Sequence, residues 1–329
     1  MVLGMGPDAA TIPPFRRQWQ HLSGSDFASM DRARTIVMVT CSPLEVHGPH
    51  LPVITDNAEA EGISIRTMEV LHERDPSLQF VHLPPIYVAA DVLPHPGSVM
   101  FRSSTITRVL ADLGRSLARQ GFVHIWVASF HGGPRHFIPI EVACERTNRR
   151  YGTKMICAFS LLISRLTQGG SELSTVLGAI DGVTPEDLQG DHHGGAIETS
   201  IMLHLAGDHV DPGYRTLGQR TLDLKRRQAG LAPLPQRGVL DLVRSFKHKL
   251  KYYESETYSG KPQIASAAIG RDMMDVLARH SADALEELLR GTLTPSECHS
   301  PIWPLRWVFT NETLSRCFER AVRYRQRVF

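Results

Sequence analysis

The stretch from Ser103 to Phe130 constrains the fold more than any other. Ile106, Val109, Leu110, Leu113 and Leu117 fall at i, i+3, i+4, i+7 and i+11, so a helix here has one apolar face. Ser103 or Ser104 can cap its start. Gly121 stands at the position after the C-cap, where a helix commonly ends in a left-handed residue. The run Phe122–Phe130 (FVHIWVASF) follows at once and reads as a strand. A helix that leads straight into a strand is half of a βαβ unit, and the pattern recurs along the chain. TIVMVT at Thr35–Thr40 reads as a buried strand. A helical pattern follows from about Asp56, with Ile63, Thr67, Val70 and Leu71 on one face. Gln79–Val88 is expected as a strand that Pro84 and Pro85 confine to an edge or an end. Then come a helix around Pro139–Arg150, a strand at Met155–Leu162, a short helix at Gly195–Leu205 ending by Gly207, and a long helix from about Gly270 to Arg290. This alternation predicts an α/β fold with a mainly parallel central sheet.

A chain of 329 residues allows two domains, or one α/β domain with insertions. We expect an N-terminal extension at 1–34, one catalytic domain at 35–290 and a tail at 291–329. Residues 208–260 read as an insertion in that domain. Within it, Arg215–Lys251 carries ten basic residues against Asp223 and Asp241, and Val239, Val243, Phe246 and Leu250 lie at helical spacing. A solvated face or an oligomer contact is the expected role. An anionic-substrate rim or a nucleic-acid patch is the alternative. The tail is basic too, with Arg316, Arg320, Arg323, Arg325 and Arg327. Overall, 36 basic and 34 acidic residues leave a net charge of +2, which excludes a nucleic-acid polycation. Five cysteines, with no CxxC pair, argue against a disulfide framework and a four-cysteine zinc site. Reduced thiols in the cytoplasm are expected. Met1–Thr11 lacks the pattern of a signal peptide, and no run of ~18 apolar residues could span a membrane.

The 16 histidines direct attention to chemistry, because His is the commonest metal ligand and a frequent acid–base group. Three polar clusters fall after expected strands or at a helix start, where ligands of open α/β sheets bind. The first is Glu45-Val46-His47-Gly48-Pro49-His50-Leu51-Pro52, with Thr55-Asp56 after it. In an extended stretch Glu45 and His47 share one face. Glu, His and Asp together form a mixed N/O ligand set suited to zinc, manganese or a similar ion, although a polar loop with a capping Asp56 would carry the same residues. The second is Phe130-His131-Gly132-Gly133, whose glycines let a ligand approach closely. The third runs Asp191-His192-His193-Gly194-Gly195-Ala196-Ile197-Glu198. Glu198 could be a partner of the helix dipole only, or a ligand with His193 as proton shuttle. Several carboxylates with two histidines suit a metal pair sharing a carboxylate and a water better than one closed zinc site.

Residues 45–56 carry every fixed position of E-x-H-G-P-H-L-P-x-x-T-D, and by this the sequence resembles the creatininase (creatinine amidohydrolase) family. The likeness extends over most of 35–290. His95-Pro96-Gly97-Ser98 is similar to the family's F-P-G-T, and Ser129–Pro134 to N-G-H-G-G-N. His193–Ser200 looks like H-A-G-E-x-E-T-S, and Gly260-Lys261-Pro262 through Gly270 resembles the entry to the last family helix. The resemblance implies a three-layer α/β/α sandwich and a binuclear metal amidohydrolase, often hexameric. It implies two divalent ions per subunit, zinc first, with manganese or iron as alternatives, and a metal-bridging hydroxide. By position, Glu45 and His131 would hold one ion, His47 the other, and Asp56 would bridge. The family's remaining Glu lies two residues after the loop His, where this chain has Gly133; Glu198 is the candidate replacement. His193 would be the general acid. His50, Ser98, Gly132, Gly133 and His192 would contact substrate. Ser129, Pro134 and Ala196 depart from the family pattern beside the site, and the missing Glu disfavours creatinine itself. The expected reaction is hydrolysis of a non-peptide C–N bond, in a cyclic amide or a formamide. A peptide-trimming role, or a non-catalytic binding protein on the same fold, is the alternative. The partners expected are a small amide and further copies of this chain, with no membrane or nucleic acid.

Overall fold

The computed structural model describes residues 13–168, 173–232, 234 and 239–329, so Met1–Thr11 and Arg237 lie outside the described residues. The chain runs β1 (Arg16–Gln18), α1 (Gly24–Ser29), β2 (Thr35–Thr40), α2 (Thr55–Arg74), β3 (Gln79–His82), α3 (Ser103–Arg119), β4 (His124–Ala128), α4 (Pro134–Tyr151) and β5 (Lys154–Cys157). It continues through α5 (Ala158–Gln168), α6 (Leu173–Leu177), α7 (Ala196–Ala206), α8 (Leu222–Gln228), α9 (Val239–Tyr253) and α10 (Ala267–Arg290). Two helices, α11 (Arg306–Phe309) and α12 (Glu312–Ala321), follow in the tail. The strands form one sheet in the order β1-β3-β2-β4-β5, and every neighbouring pair is parallel.

Strand alternation builds two cores. Ile36, Met38, Trp126 and Ala128 face one side, where they meet Ile63 and Leu71 of α2, Leu161 of α5, Ile201 of α7 and Leu277 and Leu285 of α10. Val37, Val39, Ile125 and Val127 face the other, against Ile106, Leu110 and Leu117 of α3 and Phe137 and Ile140 of α4. The result is the expected three-layer α/β/α sandwich. From β2 the chain crosses through α2 to β3. It then crosses through α3, on the opposite face, back over β2 to β4. This reversal opens a crevice at the carboxyl ends of β2 and β4, the switch point of a doubly wound sheet.

Several local expectations are corrected. β3 ends at His82; Pro84 and Pro85 lack the N–H groups that a ladder needs. The apolar run Met155–Leu162 is a strand only to Cys157 and then turns into α5, since such a run suits either period. The fourth helix begins at Pro134 and keeps Pro139 inside it. Proline cannot donate to the carbonyl four residues back, and Ser103 Oγ donates to that Arg135 carbonyl instead (2.8 Å). Ser103 therefore bridges two helices, while the N-cap of α3 is Arg102, with no side-chain cap. Residues 16–18 of the expected N-terminal extension are an edge strand of the sheet. The long helix α9 is present, but the side chains of Val239, Val243 and Phe246 lie outside the described residues. No helix among the described residues is long and apolar enough to cross a membrane.

Candidate metal centre

Three loops converge on the crevice. The loop after β2 carries Glu45 and His47 and is tied to α2 by Asn57, whose Nδ2 donates to the Pro43 carbonyl (2.5 Å). This places Asp56, in the first turn of α2, behind both residues. The loop after β4 brings in His131. The N-terminus of α7 brings in Glu198, with His193 just before it. All six residues are at most 8% exposed.

Asp56 is the hinge of the arrangement. Its Oδ1 lies 3.5 Å from His131 Nδ1, and its Oδ2 lies 3.5 Å from His47 Nε2. On the first side Glu45 Oε2 is 3.1 Å from His131 Nδ1. On the second, Glu198 Oε2 is 3.7 Å from His47 Nε2. Glu45, Asp56 and His131 thus form one compact group of possible metal ligands, and His47, Asp56 and Glu198 form another. A third grouping joins Glu45, His47 and His193.

The surroundings orient these side chains. His47 Nδ1 donates to the Glu45 carbonyl (3.0 Å), which leaves Nε2 for a metal. His131 Nε2 donates to the Ala90 carbonyl (3.1 Å), which leaves Nδ1. The Leu93 N–H holds Glu45 Oε1 (2.5 Å) and the Gly194 N–H holds Glu198 Oε2. Glu45 Oε2, His47 Nε2 and Asp56 Oδ2 are buried with no hydrogen-bond partner. Buried carboxylates in such a cluster require nearby positive charge. Burial works against the charged imidazoles, yet Asp56 and Glu198 hold the His47 pKa at about 10. His131 is raised well above its ordinary value in the same way, by Glu45 and Asp56 against burial. Asp56 stays far below the carboxylate range despite burial, through His47 and His131. Burial lifts Glu198 to about 7, and His47 only partly opposes it. The donor set, the fixed tautomers and the unpartnered inward atoms all fit divalent cations.

A family model for creatininase (creatinine amidohydrolase) matches residues 20–285. The chain belongs to the creatininase family. It is therefore a metal-dependent hydrolase acting on carbon–nitrogen bonds. A mycofactocin precursor peptide peptidase from Mycolicibacterium smegmatis is 24% identical over 260 residues, covering 76% of this chain and 84% of that relative. The fold is similar to that of a putative creatinine amidohydrolase from Bacteroides fragilis, with TM-score 0.56, 17% identity, and coverage of 83% of this chain and 96% of that one. A solved structure named Creatininase Mn gives TM-score 0.57 at 19% identity, covering 82% and 97% respectively.

The other residues singled out from the sequence surround this cluster in different ways. His193 stacks on His47, with ring centroids 3.9 Å apart, and its Nε2 donates to the Val46 carbonyl (2.8 Å). His50 is buried, bonded through Nε2 to Thr199 Oγ1 (2.8 Å), and burial lowers its pKa to about 4. Ser98 Oγ accepts the Val46 N–H (3.1 Å) and so braces the loop between Glu45 and His47. Gly132 and His192 are exposed. A side chain on Gly133 would meet Asp91 Cβ at 2.5 Å and His131 Nε2 at 2.7 Å, so this backbone leaves no room for the family's Glu there.

Sequence reasoning missed the groups that support these ligands. The Ala90 carbonyl and Leu93 N–H are backbone groups, which side-chain patterns do not encode. Asp91, in the left-handed region at φ 62°, accepts the Arg135 N–H (2.7 Å). Glu59, one turn after Asp56, is fully buried with both oxygens unpartnered. The expected insertion also contributes a wall: His193 pairs with Ser259 in an isolated bridge, and the Tyr253 ring lies edge-on to His193 at 5.8 Å. Its basic residues are partly neutralised, Arg220 and Lys225 by Glu256 (2.7 and 2.9 Å) and Lys251 by Glu254 (2.6 Å).

Proposed function

We propose that this centre holds two divalent ions and hydrolyses a non-peptide C–N bond, in a cyclic amide or a formamide. Glu45, Asp56 and His131 hold one ion, and His47, Asp56 and Glu198 hold the other. The observation that carries this reading is the split of Asp56, one oxygen facing each histidine. Zinc suits the mixed N/O ligands, and the likeness to Creatininase Mn keeps manganese as an alternative. When bound, such ions acidify water and polarise a carbonyl.

The protein's own groups supply orientation and proton transfer. Glu198 replaces the carboxylate that Gly133 cannot provide. With Nε2 fixed on the Val46 carbonyl, His193 offers Nδ1 to the substrate. It takes up the proton released from the attacking water and delivers it to the leaving nitrogen, as a general acid must. Burial and the adjacent His47 lower its pKa to about 4, so it stands neutral with Nδ1 free to accept, and once charged it gives the proton up readily. The peptide-peptidase relative supports a second reading, in which the scissile amide is a peptide bond.

The test is metal analysis of the wild type and of Asp56→Ala, with chelator-sensitive hydrolysis of formamides and lactams. Loss of both ions in the variant is expected. Stoichiometric metal in Asp56→Ala, or hydrolysis indifferent to chelator, would sink the assignment.

A further inference from the structure

The end of the tail lies beyond the region matched by the family model, yet it sits on the catalytic face. The tail is first clamped to α4. Arg135, four residues after His131, is buried and binds Glu319 (2.7 Å) and Glu312 (3.2 Å), both on α12. After α12 the chain turns at Arg323, at φ 54°, and continues without helix to Phe329. Exposure then alternates with the period of extended chain. Tyr324, Gln326 and Val328 are half-buried, whereas Arg323, Arg325, Arg327 and Phe329 are exposed. The basic character of the tail is thus its outer face.

The inner face joins two walls. On one side Val328 packs on Ala89, Val92 and Met100, and Gln326 Nε2 lies 3.2 Å from Met100 Sδ. On the other, the Arg325 N–H donates to Glu254 Oε1 (2.9 Å) and Lys251 Nζ donates to the Arg323 carbonyl. These are the walls that position the centre. The first includes the Ala90 carbonyl that holds His131 and the Leu93 N–H that holds Glu45. The second includes Tyr253, whose ring meets His193 and whose carbonyl bonds His95 Nε2 (2.8 Å). Tyr324, half-buried, begins this segment with its N–H on the Glu319 carbonyl (2.8 Å), and burial together with the charges of Asp91, Glu319, Glu254 and Glu45 raises its phenol pKa.

We propose that Tyr324–Phe329 is a fixed strap across the mouth of the centre and sets substrate size, with Tyr324 as the residue that meets the substrate. Cleavage within a polypeptide needs an open groove on both sides of the scissile bond. The strap fills the gap between the 89–100 loop and the end of α9, so the site admits a compact amide and excludes a chain. This inference rests on the metal-centre reading above.

The experiment uses cobalt-loaded protein and two metal-seeking probes, acetohydroxamate and a trialanine hydroxamate, followed by the visible spectrum of the bound cobalt. Wild type is expected to bind the short probe and to bind the long one poorly. Removing 324–329 should raise affinity for the long probe at least about tenfold and move the short one by less than about twofold. Tyr324→Ala should move the long probe in the same direction, and it decides the matter if the truncated chain fails to fold. Equal shifts for both probes, no shift in Tyr324→Ala, or tight binding of the long probe by wild type would overturn the strap. Failure of the wild type to take up cobalt at all would instead overturn the metal-centre reading, and the strap with it.

Discussion

Metal binding should expel protons, in a number that the geometry specifies. Without an ion, His47 titrates at about 10, so its imidazole is charged at pH 8.5, and Glu45 and Asp56 hold His131 in its charged form well above its ordinary value. Each must lose its proton before its nitrogen can bind a metal. Glu45 and Asp56 are held ionised and contribute none. Glu198, lifted to about 7, is mostly ionised at pH 8.5 and mostly protonated at pH 6. Release from these side chains should therefore be about two protons per chain near pH 8.5 and rise toward about three near pH 6 as Glu198 joins, while water acidified by the ions adds up to about one more at the higher pH. Above about pH 10.5 it should fall by about one, because His47 then enters already neutral. The sign follows from linkage: the metal-free protein binds more protons at lower pH, so more are displaced. Calorimetric titration of the chelated protein with zinc, in buffers of different ionisation enthalpy, gives the count directly from the slope. Release of fewer than about two protons per chain at pH 8.5 would refute the claim that these imidazoles and carboxylates are the ligand set.

Three further outcomes are expected. Glu198→Gln should lower bound metal from about two ions to about one per chain, since only the His47 group loses a carboxylate; elemental analysis checks this, and an unchanged two would return Glu198 to a helix-dipole role. Gly270→Ala should destabilise by about 3 kcal/mol or more, because a Cβ there runs into the Ser200 carbonyl where α10 crosses α7 and two backbones must separate; denaturant unfolding measures it. Burial, with Glu198, Asp56 and Asp191 nearby, raises the Glu59 pKa well above its ordinary value. A carboxyl raised in the folded state loses stability as pH climbs above its unfolded value, so Glu59→Gln should melt higher than wild type at pH 7 and match it near pH 4. An advantage for Gln only at the acid end would contradict this.

What was legible in the sequence and what was not follows one physical division. Glu45, His47 and Asp56 lie within twelve residues, so local geometry alone brings them together. The apolar runs at Thr35–Thr40 and Phe122–Phe130 then place the end of β2 and, to within two residues, that of β4, and with them the crevice that receives His131. The pairing of Glu198 with His47 needed more. It came from the missing carboxylate at Gly133, a gap that the resemblance exposed and that the contact with Asp91 Cβ now explains in space. The groups that aim the ligands were not legible, because the Ala90 carbonyl and the Leu93 N–H belong to backbone that any side chains could carry. Three-residue β1 has no period to detect, and Met155–Leu162 satisfies both periods at once. The tail marks the same boundary. From the sequence its alternating arginines give only a basic tail, because an exposed residue gives no sign of what its neighbours cover. Once Tyr324, Gln326 and Val328 are placed on the inner side, the arginines become the outer half of an extended strap. The segment lies beyond residues 20–285 that the family model matches, so a role in substrate choice would be a property of this chain and not of the shared pattern.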